Sequence, residues 1–202
     1  LALQFGERQS LVNLGDFRSV IHRHQVDLEL RIEMDWEQPT AFVVSNTHQS
    51  GAVVAQDRRL GFATAVRGEN GGGGNAPKLV VPEVCFRVGD AKFGMRRTPH
   101  APMEFELFRE NVEFEFVRTL GRPWPLPAPA KCYGFPDQVR AYYQNAAFLS
   151  DLELHLEQQL GRVYYLGPLR ASPERDYRWA GTQPTDMGQS GQRAVDAILS
   201  SR

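Results

Sequence analysis

No stretch of this 202-residue chain approaches the roughly eighteen consecutive apolar residues that a membrane-crossing helix needs. The first residues also lack the basic-then-apolar order of a secretory signal. Cysteine is scarce. Cys85 and Cys132 are too few for a disulfide framework, and by themselves cannot make a zinc site. An excess of one charge is missing too: 23 Lys and Arg face 24 Asp and Glu, the net charge is -1 and the pI is near 6.6. A general basic footprint for nucleic acid is therefore absent. These absences together suggest a reducing cytoplasm and no membrane.

Two chemical motifs are absent as well. There is no Gly-x-x-x-x-Gly-Lys-Ser/Thr, whose backbone amides and helix start would cradle a phosphate while the hydroxyl holds magnesium. The glycine run from Gly68 reaches Lys78 only through Pro77, and Leu79 follows, so it reads as a surface loop. Nor does any serine or cysteine sit in a nucleophile motif such as Gly-x-Ser-x-Gly.

What is present is ordinary globular material, 42% hydrophobic and 23% charged. The length suits one core, or one domain with an appended lobe. Leu28, Leu30, Ile32, Met34 and Trp36 alternate with Glu29, Arg31, Glu33 and Asp35. That period of two predicts a strand with one wet face. The same rule predicts strands over Met103–Leu107 and Val112–Phe116, joined through Arg109–Asn111 as an antiparallel hairpin with Glu104, Glu106, Glu113 and Glu115 on its solvated side. Weaker strand signals lie at Ala41–Ser45, Leu60–Arg67, Val84–Val88 and Lys92–Arg96, with Gly89-Asp90 turning between the last two. Pro82 argues that the apolar run from Leu79 is not a central strand throughout.

A Pro-rich stretch, residues 122–129, then changes the texture. Pro136 and Asp137 suit a helix start. Val139, Tyr142, Ala146, Leu149, Leu152, Leu156 and Leu160 follow at spacings of three and four, up to Gly161 as the C-terminal cap. They predict one long amphipathic helix, or two with a break near Asn145. Val163–Leu166 reads as a short core strand stopped by Gly167-Pro168. Ala194, Val195, Ile198 and Leu199 form a last helical face, entered through Gly188–Gly191. The fold class is thus α+β: an antiparallel β-meander over residues 1–121, a connector at 122–131, and a helix–strand–helix segment over 132–202.

Candidate chemistry is sparse. Leu79–Glu83 and Ala52–Asp57 each carry an apolar run ending in an acid, but with no phosphate loop to face they read as plain strand ends. His22 and His24 would share a face in a strand, yet a transition metal wants three or four ligands. No spacing recruits His48, His100 or His155, so no metal site is expected. The Glu-rich strand faces read as solvated surface. Arg170, Arg175 and Arg178 stand among Tyr164, Tyr165, Tyr177 and Trp179. They could face an anion or form a structural network. Gly188-Gln-Ser-Gly-Gln192 is a glycine-rich helix entry whose amides could meet an anion, or simply a capped start.

Two stretches carry a family resemblance. Asn13-Leu-Gly-Asp-Phe-Arg-Ser-Val-Ile-His-Arg-His24 resembles the segment after the Walker A helix in AAA-family ATPases of the ABC/SMC-like type. Cys132–Asp137, Ala141–Asn145, Val163–Arg170, Tyr177–Gly181 and Asp186–Gly191, in that order, are similar to the middle of the same bacterial ATPases. The resemblance spans most of residues 11–199 and is most specific in the C-terminal third. It implies a head of the RecF, SMC and overcoming-lysogenization-defect type. In such heads ATP with Mg is sandwiched between two protomers of a homodimer, in some cases acting on DNA. Walker A would then precede Leu1, and signature and Walker B would follow Arg202. The start at Leu1 and the stop soon after the last helical face fit a piece of something longer. No catalytic residue can be carried over. Arg170, Arg175, Gly188 and Gly191 are the expected nucleotide- or dimer-proximal positions. The rival reading is a non-enzymatic module binding protein or nucleic acid.

Overall fold

The alternating run at the start of the sheet becomes half of an eighteen-residue strand, β1 (Glu29–Asn46). The computed structural model describes residues 13–69, 78–121, 124–163, 167, 171–179, 181–188 and 190–201. In β1, Leu30, Ile32, Met34 and Trp36 are half-buried while their neighbours are exposed, as period-two patterning dictates. The strand runs on past Pro39 to include Ala41–Ser45. Pro39 lies in a register slip between Glu37 and Phe42, which accommodates a residue without a ladder donor.

Four further strands follow: β2 (Ala52–Glu69), β3 (Lys78–Val88), β4 (Ala91–Thr98) and β5 (Ala101–Glu110). They form one open antiparallel sheet in sequence order. All the weaker strand signals lie inside these elements, and Gly89-Asp90 makes the β3–β4 turn. Pro82 is in β3, but β4 pairs with β3 only as far as Glu83↔Arg96, and the β2–β3 register slips in this region. The proline thus occupies a stretch with a neighbour on one side only.

The predicted hairpin is corrected. β5 pairs with β4, while residues 112–116 form no strand. The chain turns at Asn111 (φ 57) and brings Phe114 onto the sheet face. Phe114 lies between Phe93 of β4, 5.7 Å away, and Phe148, 5.6 Å away. Alternation reports which side is buried, not whether a ladder partner exists, and here the buried side meets a helix. Glu113 and Glu115 stay exposed, as expected.

The helical segment takes the two-helix form: α2 (Asp137–Tyr142) and α3 (Phe148–Leu160), broken around Asn145. Gly161 is the C-terminal cap of α3. Phe148, Leu149, Leu152 and Leu156 line one face of α3 and join Phe62, Phe86, Val84, Phe93 and Met95 in one core. Each large side chain buried there stabilises the fold by about 1.5–3 kcal/mol. Leu126 of the Pro-rich stretch is buried in the same core and bridges Phe105 of β5. A smaller cluster joins Phe17 of the short helix α1 (Phe17–Val20) and Ile21 to Val66.

Of the predicted strand at Val163–Leu166, Val163 is exposed and not in a strand, and residues 164–166 lie outside the described residues. The last helix, α4 (Ala194–Ser200), forms where expected. No helix among the described residues is long and apolar enough to cross a membrane.

Candidate functional site

The first concentration of charge lies on the sheet face opposite the helices. Register places Asp35, Gly61 and Arg87 in one row across β1, β2 and β3. Arg87 Nη2 donates to Asp35 Oδ1 at 2.6 Å, passing over Gly61. A Cβ at Gly61 would stand 2.5 Å from that oxygen and 2.6 Å from Arg87 Nε, so only glycine leaves the row clear. Beside it is an open hollow of about 460 Å³ lined by Trp36, Glu37, Arg59, Arg87 and Asp90. Arg59 is held by Asp57 at 3.2 Å. The Arg59 backbone amide, then its guanidinium, keeps the Asp57 carboxyl below the usual carboxylate range. Both arginines are thus matched by carboxylates, and the hollow offers no net positive charge to a phosphate.

The second concentration clasps the segment before α2 onto α3. Lys131 Nζ and Tyr133 Oη both donate to Glu157 Oε1 at 2.9 Å, and Lys131 Nζ also reaches Tyr133 Oη at 3.2 Å. The Lys131 hydrogen bond, then that of Tyr133, pulls the Glu157 carboxyl down, while the Glu157 carboxylate raises Lys131. One turn earlier, Glu153 accepts the backbone N–H of Phe135. Burial pushes the Glu153 carboxyl up despite that bond. Its acceptor oxygen is already engaged, so the cluster works as a fastening, not as an acid–base pair awaiting substrate.

The positions expected from resemblance fall elsewhere. Arg170 lies outside the described residues, and Arg175 is exposed in an irregular stretch. Gly188 and Gly191 both have left-handed backbone, with φ of 74 and 75, and form the turn before α4. The loop amides are largely spent within the loop itself. Gly188 N donates to Asp186 Oδ1 at 2.8 Å, Ser190 N to Gln192 Oε1 at 3.1 Å, and Gly191 N to Gly188 O at 3.0 Å. Arg193 N and Ala194 N reach Met187 O and Gly191 O. The Gln192 side chain fills the space over Gly188, 2.3 Å from where a Cβ would sit. Among the described residues, the Gly188, Ser190 and Gly191 amides are thus engaged within the turn, with the Asp186 carboxylate beside Gly188.

The remaining candidates disperse. His22 and His24 sit in a 3-10 turn, and His24 Nδ1 lies 2.7 Å from Arg18 O. No group of three metal-ligating side chains occurs among the described residues. Asp57 and Glu83 are inside strands, not at strand ends. Glu106 and Glu115 are paired with Arg96 and Arg109. Burial pushes the Cys85 thiol up to about 11 and raises Cys132 too, so neither is a ready thiolate.

Sequence reasoning missed the Asp35–Arg87 row, the Glu153 fastening and the buried Asn145. The one available signal was a glycine inside a strand pattern at Gly61, which marks a close approach. No protein-family model, curated protein or solved structure matches the chain.

Proposed function

We propose that this chain is the middle portion of an AAA-family ATPase head of the ABC/SMC-like type, contributing its antiparallel lobe and holding no complete nucleotide site of its own. One observation carries the reading. In the C-terminal third, where the resemblance is most specific, the described residues from Tyr177 to Gly191 and α4 enter neither core cluster: α4 buries no residue, and Tyr177, Trp179, Met187 and Ile198 are all exposed. Apolar and aromatic side chains so placed favour a segment that packs against further parts of a larger head. In the whole head, ATP and Mg would be held by parts this sequence does not contain, between two protomers, and positioning with electrostatics would do most of the chemistry.

The inward-bonded Gly188–Gly191 turn favours a second reading, a binding module that never meets nucleotide. Calorimetric titration of Mg-ATP separates the two. The chain as given should bind no tighter than about 1 mM, a free energy near −4 kcal/mol. A version extended with the coding sequence upstream, carrying a phosphate loop, should bind at least a hundredfold tighter. Failure of the extended version to bind would favour the module. Tight, magnesium-dependent binding by the chain alone would defeat the proposed partition of the site.

A further inference from the structure

The two edges of the sheet are treated differently. On β5, the backbone N–H of Phe105 donates to Leu126 O at 3.2 Å, so the Pro-rich stretch partly closes that edge. On β1, backbone bonds from outside its ladder with β2 are limited, among the described residues, to the Asn46 and Gln38 carbonyls, which take Gly51 N and Arg58 Nε. No other described residue hydrogen-bonds to the Glu29–Glu37 backbone from the side away from β2.

Natural edge strands are usually blunted by proline, charged side chains, an inward charge or a bulge. Glu29–Glu37 carries charge on its outer face but has no proline, inward charge or bulge, and its nine residues pair with β2 in unbroken register from Glu29↔Arg67 to Glu37↔Arg59. The blunting devices, Pro39 and the register slip, come only after Glu37. In an antiparallel ladder alternate residues aim both N–H and C=O outward, so this run presents unpaired donors and acceptors at regular spacing.

Its side chains state what would match it. The inner row of Leu30, Ile32, Met34 and Trp36 is half-buried. The outer row holds Glu29, Glu33, Asp35 and Glu37 against the single cation Arg31, and all five are exposed. Glu29, Asp35 and Glu37 pair with Arg31, Arg87 and Arg58 at the exposed surface, and Glu33 has no ion pair among the described residues. A second copy of β1 is a poor occupant. Antiparallel pairing centred on Glu33 would set Glu33 against Glu33 and Glu29 against Glu37 twice, outnumbering the two favourable Arg31–Asp35 pairs, and like charges directly opposite destabilise a sheet.

We infer that the Glu29–Glu37 edge of β1 is a docking site for an extended segment of a partner protein, added as a sixth strand, with apolar residues alternating with lysine or arginine. The new ladder supplies affinity through main-chain hydrogen bonds. Direction comes from the acidic outer row and the apolar inner row, which must meet basic and apolar residues together. None of the residues that carry the ATPase reading takes part, so the two stand or fall separately.

The test uses the whole chain and a labelled nonapeptide of alternating lysine and valine, followed by fluorescence anisotropy and by backbone amide exchange. Two control peptides are needed, one with glutamate for lysine and one with alternate backbone nitrogens methylated. The lysine peptide should bind and slow exchange within residues 29–37. Both controls should bind at least tenfold more weakly; the methylated one keeps the charge and so isolates the ladder. The exposed replacements Glu29→Lys, Glu33→Lys and Glu37→Lys together should reverse the preference toward the glutamate peptide. Equal binding of the methylated peptide, protection outside 29–37, or self-association through β1 would overturn the inference. So would amides of 29–37 that already exchange as slowly in the free chain as those of β3.

Discussion

Asp35 on β1 holds Arg87 on β3 at 2.6 Å across the intervening strand, a contact made possible by the missing side chain of Gly61 on β2. Gly94 plays a similar part on β4, but against different neighbours. A Cβ there would meet the Val84 carbonyl oxygen and the Phe108 ring, each at 2.5 Å. The first clearance admits flexible side-chain ends, and the second admits backbone and a ring.

Replacing these two glycines therefore has unequal consequences. Gly61→Ala should displace an ion pair whose Asp35 partner is 72% exposed, changing stability by less than about 1 kcal/mol. Gly94→Ala forces backbone or ring to move and should cost about 2–3 kcal/mol. Urea unfolding of the two variants checks the order. Equal losses would mean that the Gly94 clash relaxes freely.

Asn145 is 2% exposed and joins three segments. Its Nδ2 donates to Glu115 O at 2.8 Å and to Asn46 Oδ1 at 3.2 Å, and its Oδ1 accepts Val117 N at 2.9 Å. Asn145→Leu leaves these backbone groups without partners and should destabilise by about 2–3 kcal/mol. Protease cutting should then concentrate in 112–118, the segment that the amide fastens. Unchanged unfolding would show that water takes over its role.

Glu153 and Glu157, one turn apart on α3, should respond to pH with opposite sign. The Glu153 carboxyl is raised by burial, so the folded state binds its proton more tightly than the unfolded one. Its contribution is full below the unfolded value near 4.5 and is lost as pH rises through the folded value. Glu153→Gln keeps an acceptor for Phe135 N and should gain stability relative to the parent as pH climbs above that window. Glu157 is lowered by Lys131 and Tyr133, so its contribution is present above the unfolded value and lost on acidification. Glu157→Gln should cost stability at neutral pH and nothing in acid. Unfolding curves taken from pH 3 to 8 decide it, and parallel behaviour of the two variants would refute the assignment.

Cysteine labelling offers a further check. With Cys85 pushed up to about 11 and Cys132 also raised, both thiols should react slowly with iodoacetamide at neutral pH in the folded chain. Half-buried Cys132 should be modified before buried Cys85, and urea should release both. Fast labelling of Cys85 in the native chain would contradict its burial between strands.

How much of this was legible in advance depends on how local each signal is. The spacing of Leu149, Leu152 and Leu156 names a helix face whatever lies opposite it, and the alternation from Leu30 to Trp36 names a strand face in the same way. The break near Asn145 stood only as one of two alternatives, because the apolar spacing of three and four runs on from Tyr142 to Ala146 across it. The residues around Phe114 look just as strand-like, yet they have no ladder. Their pattern records burial, and burial against α3 leaves the same trace as burial in a sheet.

By itself, then, the sequence determined the buried faces of β1 and α3, the meander before the helices and the lack of a phosphate-loop motif, since these follow from side-chain periodicity and motif spacing along the chain. Only the tertiary structure decided which residues meet: Asp35 with Arg87, Asn145 with Asn46, Glu153 with the Phe135 amide. It also decided that β1 is an edge strand of the sheet and that the Gly188, Ser190 and Gly191 amides bond within their own turn. The physical reason is that hydrogen bonds and ion pairs between distant segments depend on register and on the space left by neighbours, and neither is written in any short window of residues.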